Sequence, residues 1–317
     1  MGLAGARNIP PPCSRHKHTG NASKLSRPLP KGTWDSHMHV VDPTRFPLDP
    51  SAKYRPQAHT LADAKTFYSS FDSGIENMVL VQPSIYGTDN SCMLEALYEL
   101  TPKHGRAVVG LDPATIQGDT LQEWHDAGVR GARVNMLSLG RECVTESELR
   151  AELEAYAAVL RPLGWLLELF IPLKMAITLE KIVPDLGVKV CVAHFGAPPL
   201  PQPYDPSRAI DPYAITGFAS LIDLLKKGDT WVKLSAPYRI SHDPEMRDLD
   251  AIGREFILQG PDRVVYASDW PHTRFDNIDP VPFIEKCFEW CGNETGLIEK
   301  LFRSNAEELW DAPGRAN

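Results

Sequence analysis

The sequence predicts an α/β protein that folds as a single (β/α)8 TIM barrel behind a disordered or extended N-terminal tail. Eight short apolar runs, rich in β-branched residues, recur after residue 32. Segments with helical spacing separate these runs, and strands that alternate with helices pair in parallel through right-handed crossovers. Eight such units over about 285 residues is a typical size for this barrel.

The eight strands are predicted, in chain order, at 33–41, 76–83, 107–113, 129–135, 164–171, 189–196, 231–238 and 263–271. Helical spacing is visible between them, for example at 89–103, 145–161, 213–227 and 280–292. A doubly wound open sheet is the alternative fold. It normally carries a glycine-rich turn after an early strand, and this sequence has none there, so the barrel is favoured.

Residues 1–31 are predicted to be a tail and residues 32–317 to be the barrel domain. The stretch 1–33 contains no Asp or Glu, several basic residues and three consecutive prolines at 10–12. Arg-rich termini without acidic residues can be organelle transit peptides. The prolines oppose a helix, however, and therefore favour a disordered tail.

The composition restricts the class of protein. The chain has 317 residues, 43% of them hydrophobic, which is enough for a sizeable core. Its formal net charge of -8 argues against binding to nucleic acid or to an anionic membrane. No apolar run has the length of a membrane span. The six cysteines include no Cys-x-x-Cys pair and are interpreted as reduced thiols, so we expect a cytoplasmic location.

The first predicted strand carries an unusual set of polar side chains. Asp35, His37 and His39 alternate with Ser36 and Met38 inside an apolar stretch. Successive side chains of a strand point to opposite faces, so we expect the three polar groups on one face. Burying them without partners would be costly, which indicates a functional site.

Other polar residues fall at the carboxyl ends of the remaining predicted strands, where barrel enzymes hold their active sites. Taken singly, each could equally satisfy a loop or a backbone group. Their conjunction with the His-x-His pair is what indicates one site at the barrel mouth. The candidates are Ser84 and Tyr86 after the second strand, Arg133 on the fourth, His194 on the sixth, Tyr238 and Arg239 after the seventh, and Asp269 on the eighth.

A first-strand His-x-His and an eighth-strand Asp in such a barrel resemble the amidohydrolase superfamily. Within it, the chain is most similar to the 2-pyrone-4,6-dicarboxylate lactonase-like family. The matching stretches are WDSHMHV at 34–40, VQPSIYGTDN at 81–90, VRGARVN at 129–135, KLSAPYR at 233–239 and SDWPH at 268–272, and SNAEELW at 304–310 resembles the superfamily's closing helix. The resemblance implies a hydrolase of the lactonase type that serves the catabolism of aromatic compounds.

The resemblance also bears on metal binding. Many amidohydrolases hold two metals with a carboxylated lysine on strand four and histidines on strands five and six. Here strand four offers arginine, and strand five offers Glu168 or Phe170 and no histidine. The lactonases of this family work without metal. Because arginines near the mouth would also repel a cation, we expect no required cofactor. A single divalent ion such as zinc could still bind His37, His39, His194 and Asp269.

The hypothesis for the chemistry assigns a role to each candidate. Asp269 is the general base for a water that attacks a lactone carbonyl, and the three histidines polarise the carbonyl oxygen in place of a metal. Guanidinium groups bind substrate carboxylates. The predicted substrate-binding residues are Tyr54, Ser84, Tyr86, Arg133, Tyr238 and Arg239, and the weaker candidates are Arg130, His272 and Arg274.

Two other functions stay open at this point. A zinc-dependent decarboxylase of an aromatic or muconate-type acid would use the same four residues. A binding protein that kept the barrel but lost the chemistry is disfavoured, because His37, His39, His194 and Asp269 are all present. The predicted partner is a small anionic organic substrate, and the sequence does not indicate an oligomeric state.

Overall fold

Eight parallel strands pair in chain order and curve into a nearly closed barrel, as the sequence predicts. The computed structural model describes residues 24–71, 73–141, 144–275 and 277–312. Each predicted strand run overlaps one observed strand, although the third and seventh strands begin before their predicted runs. The strands are β1 (Trp34–Met38), β2 (Asn77–Val81), β3 (Gly105–Val109), β4 (Val129–Asn135), β5 (Leu166–Phe170), β6 (Val190–Val192), β7 (Thr230–Leu234) and β8 (Val264–Tyr266).

Helices fill every crossover. Thr60 and Thr145 precede the helices Leu61–Ser70 and Glu146–Leu160 and form capping boxes, which satisfy free backbone N–H groups of the first turn. The helix predicted at 213–227 begins only at Phe218, since Gly217 before it adopts a left-handed φ of 94°. The helices are α1 (Leu61–Ser70), α2 (Ser91–His104), α3 (Gly118–Ala127), α4 (Glu146–Leu160), α5 (Ala176–Leu186), α6 (Phe218–Lys227), α7 (Asp250–Gln259), α8 (Val281–Trp290), α9 (Thr295–Glu299) and α10 (Asn305–Leu309).

The predicted tail falls largely outside the described part of the chain, so its boundary at residue 31 stays a prediction. Four of the six cysteines are described, and all four are free and buried. The other two, Cys13 and Cys143, lie outside the described residues. Within the described ranges, no helix combines the length and apolar character needed to cross a bilayer.

The strands separate two hydrophobic layers. One face of each strand packs against the surrounding helices, and the other face points into the barrel. The interior layer nearest the amino ends of the strands is apolar and includes Trp34, Leu166 and Trp231. Because side chains alternate along a strand, the next inward positions above Leu166 and Trp231 are Glu168 and Lys233. Glu168 and Lys233 therefore place charged groups inside the barrel, one layer above this apolar layer, which we call the floor.

The C-terminal segment closes this floor. Trp310 is fully buried in the interior cluster, and its indole Nε1 donates to Ser36 Oγ at 3.1 Å. Arg106, at the start of β3, donates from Nε to the Trp310 carbonyl at 2.9 Å and from Nη2 to the Asp311 carbonyl at 3.0 Å. The chain end is thus held under the amino ends of the strands, opposite the mouth.

The seam between β8 and β1 is closed by few bonds. Met38 forms a parallel bridge with Trp270, and the Asp269 N–H donates to the His37 carbonyl at 2.9 Å. The buried Asp35 carboxylate spans the same seam: its Oδ1 accepts the Ser268 N–H at 2.9 Å, and its Oδ2 accepts the Tyr68 hydroxyl at 2.5 Å. Burial raises the pKa of Asp35 above its ordinary value.

Replacing the floor residue should destabilise the whole barrel. Trp310→Ala removes a fully buried indole, and such truncations typically cost about 3–5 kcal/mol of unfolding free energy. Chemical denaturation monitored by circular dichroism measures this loss. Tyr98→Ala, at a side chain that is 52% exposed, is the control and should stay within about 0.5 kcal/mol of wild type. Equal losses in both variants would contradict the assigned floor.

Candidate active site

A break in the strand register of β1 decides which of its side chains enter the barrel. The pairing of β1 with β2 shifts between Asp35 and Met38, as at a β-bulge. Such irregularities re-aim side chains, and they are frequent beside active sites. The shared face predicted for Asp35, His37 and His39 is therefore wrong. Asp35 turns towards Tyr68 on α1 and accepts the backbone N–H of His37 at 3.1 Å, not a ring N–H.

The four predicted catalytic residues converge at the barrel mouth. Asp269 Oδ1 lies 3.5 Å from His37 Nε2, 3.3 Å from His39 Nε2 and 3.9 Å from His194 Nε2. The His37 ring lies 4.9 Å from the His39 ring and 4.8 Å from the His194 ring, centroid to centroid. All four side chains are buried. One carboxylate oxygen therefore faces three imidazole nitrogens.

The second carboxylate oxygen of Asp269 is held by cationic and phenolic donors. Arg239 Nε donates to Oδ2 at 2.9 Å, and the Tyr238 hydroxyl donates to Oδ2 at 2.6 Å. Burial alone would raise the pKa of Asp269, but Arg239 and the nearby imidazoles hold it well below the ordinary value. Tyr238 and Arg239 were predicted to bind substrate, and here both contact the predicted base.

The three imidazoles differ in what their Nδ1 atoms contact. His39 Nδ1 lies 2.7 Å from the Val81 carbonyl, which can only accept a proton. His194 Nδ1 lies 2.7 Å from Ser235 Oγ. Burial lowers the pKa of His194 to about 3 and that of His37 well below its ordinary value. Both rings are therefore neutral near pH 7.

Three further predicted residues lie together beside this cluster. Arg133 is buried, donates from Nη1 to the Gln82 carbonyl at 2.9 Å, and is within electrostatic range of Asp269, Tyr54 and Arg239. Arg274, a weaker candidate, places its guanidinium 5.4 Å from the centre of the Tyr54 ring. Tyr54 and two arginines thus join Asp269 in one region of the mouth.

Other candidates have structural partners. The buried Tyr86 hydroxyl accepts the backbone N–H of Asp42 at 3.0 Å and so fastens the loop after β1. Ser84 begins a short 3-10 turn after β2 and is partly exposed. His272 is buried against Tyr238, with ring centres 5.3 Å apart.

Arg130 lies at the opposite end of the barrel, 3.4 Å from the carboxylate of Asp311, so its weaker assignment to the pocket is wrong.

Two charged residues beneath the cluster received no role from the sequence: Glu168 was noted only as a residue that strand five offers, and Lys233 was missed. Glu168 on β5 and Lys233 on β7 are both fully buried, and Lys233 Nζ lies 2.5 Å from Glu168 Oε2. Glu168 Oε1 also lies 3.5 Å from His37 Nδ1 and 3.5 Å from Arg133 Nε. The available signal was a single charged residue within each of these two otherwise apolar strands, at a position whose side chain points into the barrel.

Three of the clustered residues could hold a divalent metal: His37, His39 and Asp269. Ligand atoms placed tetrahedrally around zinc lie roughly 3.3–3.6 Å apart. The two Nε2 atoms lie 3.3 Å apart, and they lie 3.5 and 3.3 Å from Asp269 Oδ1, which matches that spacing. The contact of His39 Nδ1 with a carbonyl is also typical of a ligating histidine.

The chain is similar to known hydrolases over most of its length. The chain is 29% identical over 311 residues to a 2-pyrone-4,6-dicarboxylate hydrolase of Comamonas testosteroni, covering 92% of this chain and 93% of the relative. It is 27% identical to a 4-sulfomuconolactone hydrolase of Hydrogenophaga intermedia, covering 87% and 86% of the two chains. A solved structure from Pseudomonas putida, provisionally named a 2-pyrone-4,6-dicarboxylic acid hydrolase, is 28% identical, with a TM-score of 0.70 and coverage of 89% and 98%.

The family assignment rests on nearly the whole barrel. The model of the family described as Amidohydrolase matches residues 34–312, from the first residue of β1 to beyond α10. The match includes both ends of the seam and all four residues of the buried cluster. The chain therefore belongs to the amidohydrolase family.

Proposed function

We propose that this protein hydrolyses a small lactone that carries one or more carboxylate groups, by attack of a water molecule that Asp269 activates. The observation that carries the proposal is the approach of one oxygen of a buried, ionised carboxylate to three imidazoles. The two relatives named as hydrolases of a pyrone dicarboxylate and of a sulfomuconolactone support the same class of substrate. Those names favour a hydrolase over the decarboxylase alternative.

Asp269 is the proposed general base. Its Oδ2 is already occupied by Arg239 and Tyr238, so Oδ1 is the oxygen that can accept a proton from water. When neutral, His39 presents a lone pair at Nε2, since its Nδ1 proton is held by the Val81 carbonyl. Both acceptors can orient the attacking water. The proton then passes to the leaving oxygen of the opened ring.

The carbonyl oxygen of the lactone is proposed to lie against His37 and His194. A neutral imidazole whose Nδ1 accepts a hydrogen bond carries its proton at Nε2 and can donate there. Ser235 Oγ accepts the His194 backbone N–H at 3.2 Å, which leaves the hydroxyl proton free for His194 Nδ1. Two fixed donors in a buried site would stabilise the oxyanion of the tetrahedral intermediate.

Cationic side chains define the proposed preference for anions. Arg133 and Arg239 are guanidinium groups within electrostatic range of one another and of Asp269. Guanidinium pairs with carboxylate, so we propose that both bind substrate carboxylates, Arg239 through the N–H groups that Asp269 and the Thr273 carbonyl leave free. Tyr54, which is also within range of Arg133, can add a neutral hydrogen bond from the loop between β1 and α1.

A metal is proposed to be dispensable, although His37, His39 and Asp269 could hold one. A bound divalent ion would polarise the carbonyl and lower the pKa of water. Arg239 and Lys233 already place positive charge beside Asp269 and His37, at 2.9 and 3.4 Å, which disfavours a further cation. The residues of the chain supply a base and donors of their own.

Removing the proposed base should abolish turnover without unfolding the protein. Asp269→Asn keeps the shape of the side chain, and its amide oxygen can still accept from Arg239 and Tyr238. It removes the basic carboxylate, so kcat for 2-pyrone-4,6-dicarboxylate should fall by about 10³-fold or more. Asp119→Asn, an exposed position on α3, is the matched control and should retain activity. Near-wild-type hydrolysis by Asp269→Asn would refute the assignment. Carbon dioxide must be absent from both reactions, so that decarboxylation is not counted as hydrolysis.

Chelation tests the metal proposal. After dialysis against a strong chelator, with elemental analysis to verify removal, lactone hydrolysis should persist. One tightly bound zinc per chain, whose removal abolishes activity and whose return restores it, would overturn the metal-free account. Carbon dioxide release by the zinc-loaded protein would then assign the decarboxylase alternative.

The neutral state of His194 predicts how stability depends on pH. Its pKa is about 3 in the folded protein against 6.5 ordinarily, so between these values the unfolded chain binds one proton more. Its contribution to the free energy of unfolding is thus complete above pH 6.5 and is lost as the pH falls towards 3. From pH 7 to pH 5, wild type should lose about 2 kcal/mol more than His194→Asn. Parallel losses in urea denaturation would contradict the neutral assignment.

A further inference from the structure

The buried Lys233–Glu168 pair has no part in the mechanism just proposed. It lies in the middle layer of the barrel, between the apolar floor and the four residues at the mouth, and both side chains are fully buried. Buried charge pairs are rarely kept for stability alone, since apolar side chains of similar volume often stabilise a core as well. The contacts of this pair suggest a more specific role.

The Lys233 ammonium has three neighbours. It donates to Glu168 Oε2 at 2.5 Å, lies 4.8 Å from the centre of the Trp310 ring, and lies 3.4 Å from His37 Nδ1. Glu168 Oε1 is also 3.5 Å from His37 Nδ1, but it accepts no hydrogen bond within the described residues. The hydrogen-bond partner of His37 Nδ1 in this structure is therefore the lysine.

A lysine ammonium can only donate, so His37 Nδ1 must accept from it. A neutral His37 then carries its ring proton at Nε2, the nitrogen that faces Asp269 Oδ1. His39 has the opposite arrangement, because its Nδ1 contacts the Val81 carbonyl and must donate. The Nε2 atoms of the two rings, 3.3 Å apart, are therefore a donor and an acceptor and can share a hydrogen bond.

We propose that Lys233 is a positioning residue that fixes His37 as the Nε2–H tautomer, with Glu168 holding the lysine in place. This makes His37 a hydrogen-bond donor towards the mouth and a poor metal ligand, since a ligating Nε2 needs its lone pair. The consequence for turnover rests on the proposed lactone hydrolysis, where His37 donates to the carbonyl oxygen. The tautomer itself does not rest on that function.

The tautomer can be measured directly in the wild-type protein. Protonated and unprotonated imidazole nitrogens differ strongly in ¹⁵N chemical shift, and two-bond ¹H–¹⁵N correlation spectra separate Nδ1 from Nε2. In protein labelled with ¹⁵N-histidine, with His37→Asn used for assignment, we expect His37 Nε2 to be protonated and His37 Nδ1 to be bare. A His37 ring protonated at Nδ1 would overturn the proposal, whatever the enzyme hydrolyses.

Removing the lysine tests its role. In Lys233→Met, His37 Nδ1 keeps only the Glu168 carboxylate as a partner, so the proton should move to Nδ1. We expect kcat for the carboxylated lactone to fall about 10- to 100-fold, with KM changed less than twofold. Lys189→Met is the control, because Lys189 stacks on Trp231 at the floor, 6.0 Å from the ring centre, and should leave the spectrum and kcat unchanged.

The outcomes separate this inference from the proposed function. An unchanged His37 tautomer in a folded Lys233→Met protein would refute the role of the lysine. If Lys233→Met does not fold, the wild-type spectrum still decides the tautomer. A spectrum with the expected tautomer, in a protein that hydrolyses no lactone, would leave the inference standing and remove the proposed function.

Discussion

The closure of the barrel between β8 and β1 is the constraint on which the candidate site depends. The strand pairing there is short, and the backbone bond from Asp269 to the His37 carbonyl is one of the few that complete it. The same bond sets the predicted base beside the first predicted donor. Asp35 reinforces the seam from the helix side through Ser268 and Tyr68. The contacts that close the barrel therefore also bring Asp269 beside His37.

Burial then determines what the assembled groups can do. Asp269 has a left-handed φ of 62°, a conformation that Asp tolerates better than most residues, and its carboxylate is surrounded by Arg239, Tyr238 and three imidazoles. Desolvation keeps His37 and His194 neutral, while the positive charge of Arg239 keeps Asp269 ionised. Neutral donors around a fixed carboxylate suit the hydrolysis of an ester whose carbonyl gains negative charge.

The sequence predicted the barrel because eight apolar runs alternate with helical segments, a pattern that local chemistry determines. It also predicted that His37, His39, His194 and Asp269 would meet, since strand ends of a barrel share one mouth.

The sequence did not predict the turn of Asp35 away from the histidines, because a bulge in β1 depends on pairing with β2. Nor did it assign Glu168 and Lys233, whose meaning arises only when β5 and β7 face each other across the interior. Tyr238 and Arg239 were predicted at the mouth, but their contact with Asp269 depends on how two loops pack.

The most direct measurement is a crystal structure of the Asp269→Asn variant with an uncleaved carboxylated lactone bound. We expect the lactone carbonyl oxygen at about 3 Å from Nε2 of both His37 and His194, with a carboxylate of the ligand on Arg133 or Arg239. A lactone whose carbonyl points away from these imidazoles, with its carboxylates free of both arginines, would contradict the proposed roles of His37, His194 and the arginines.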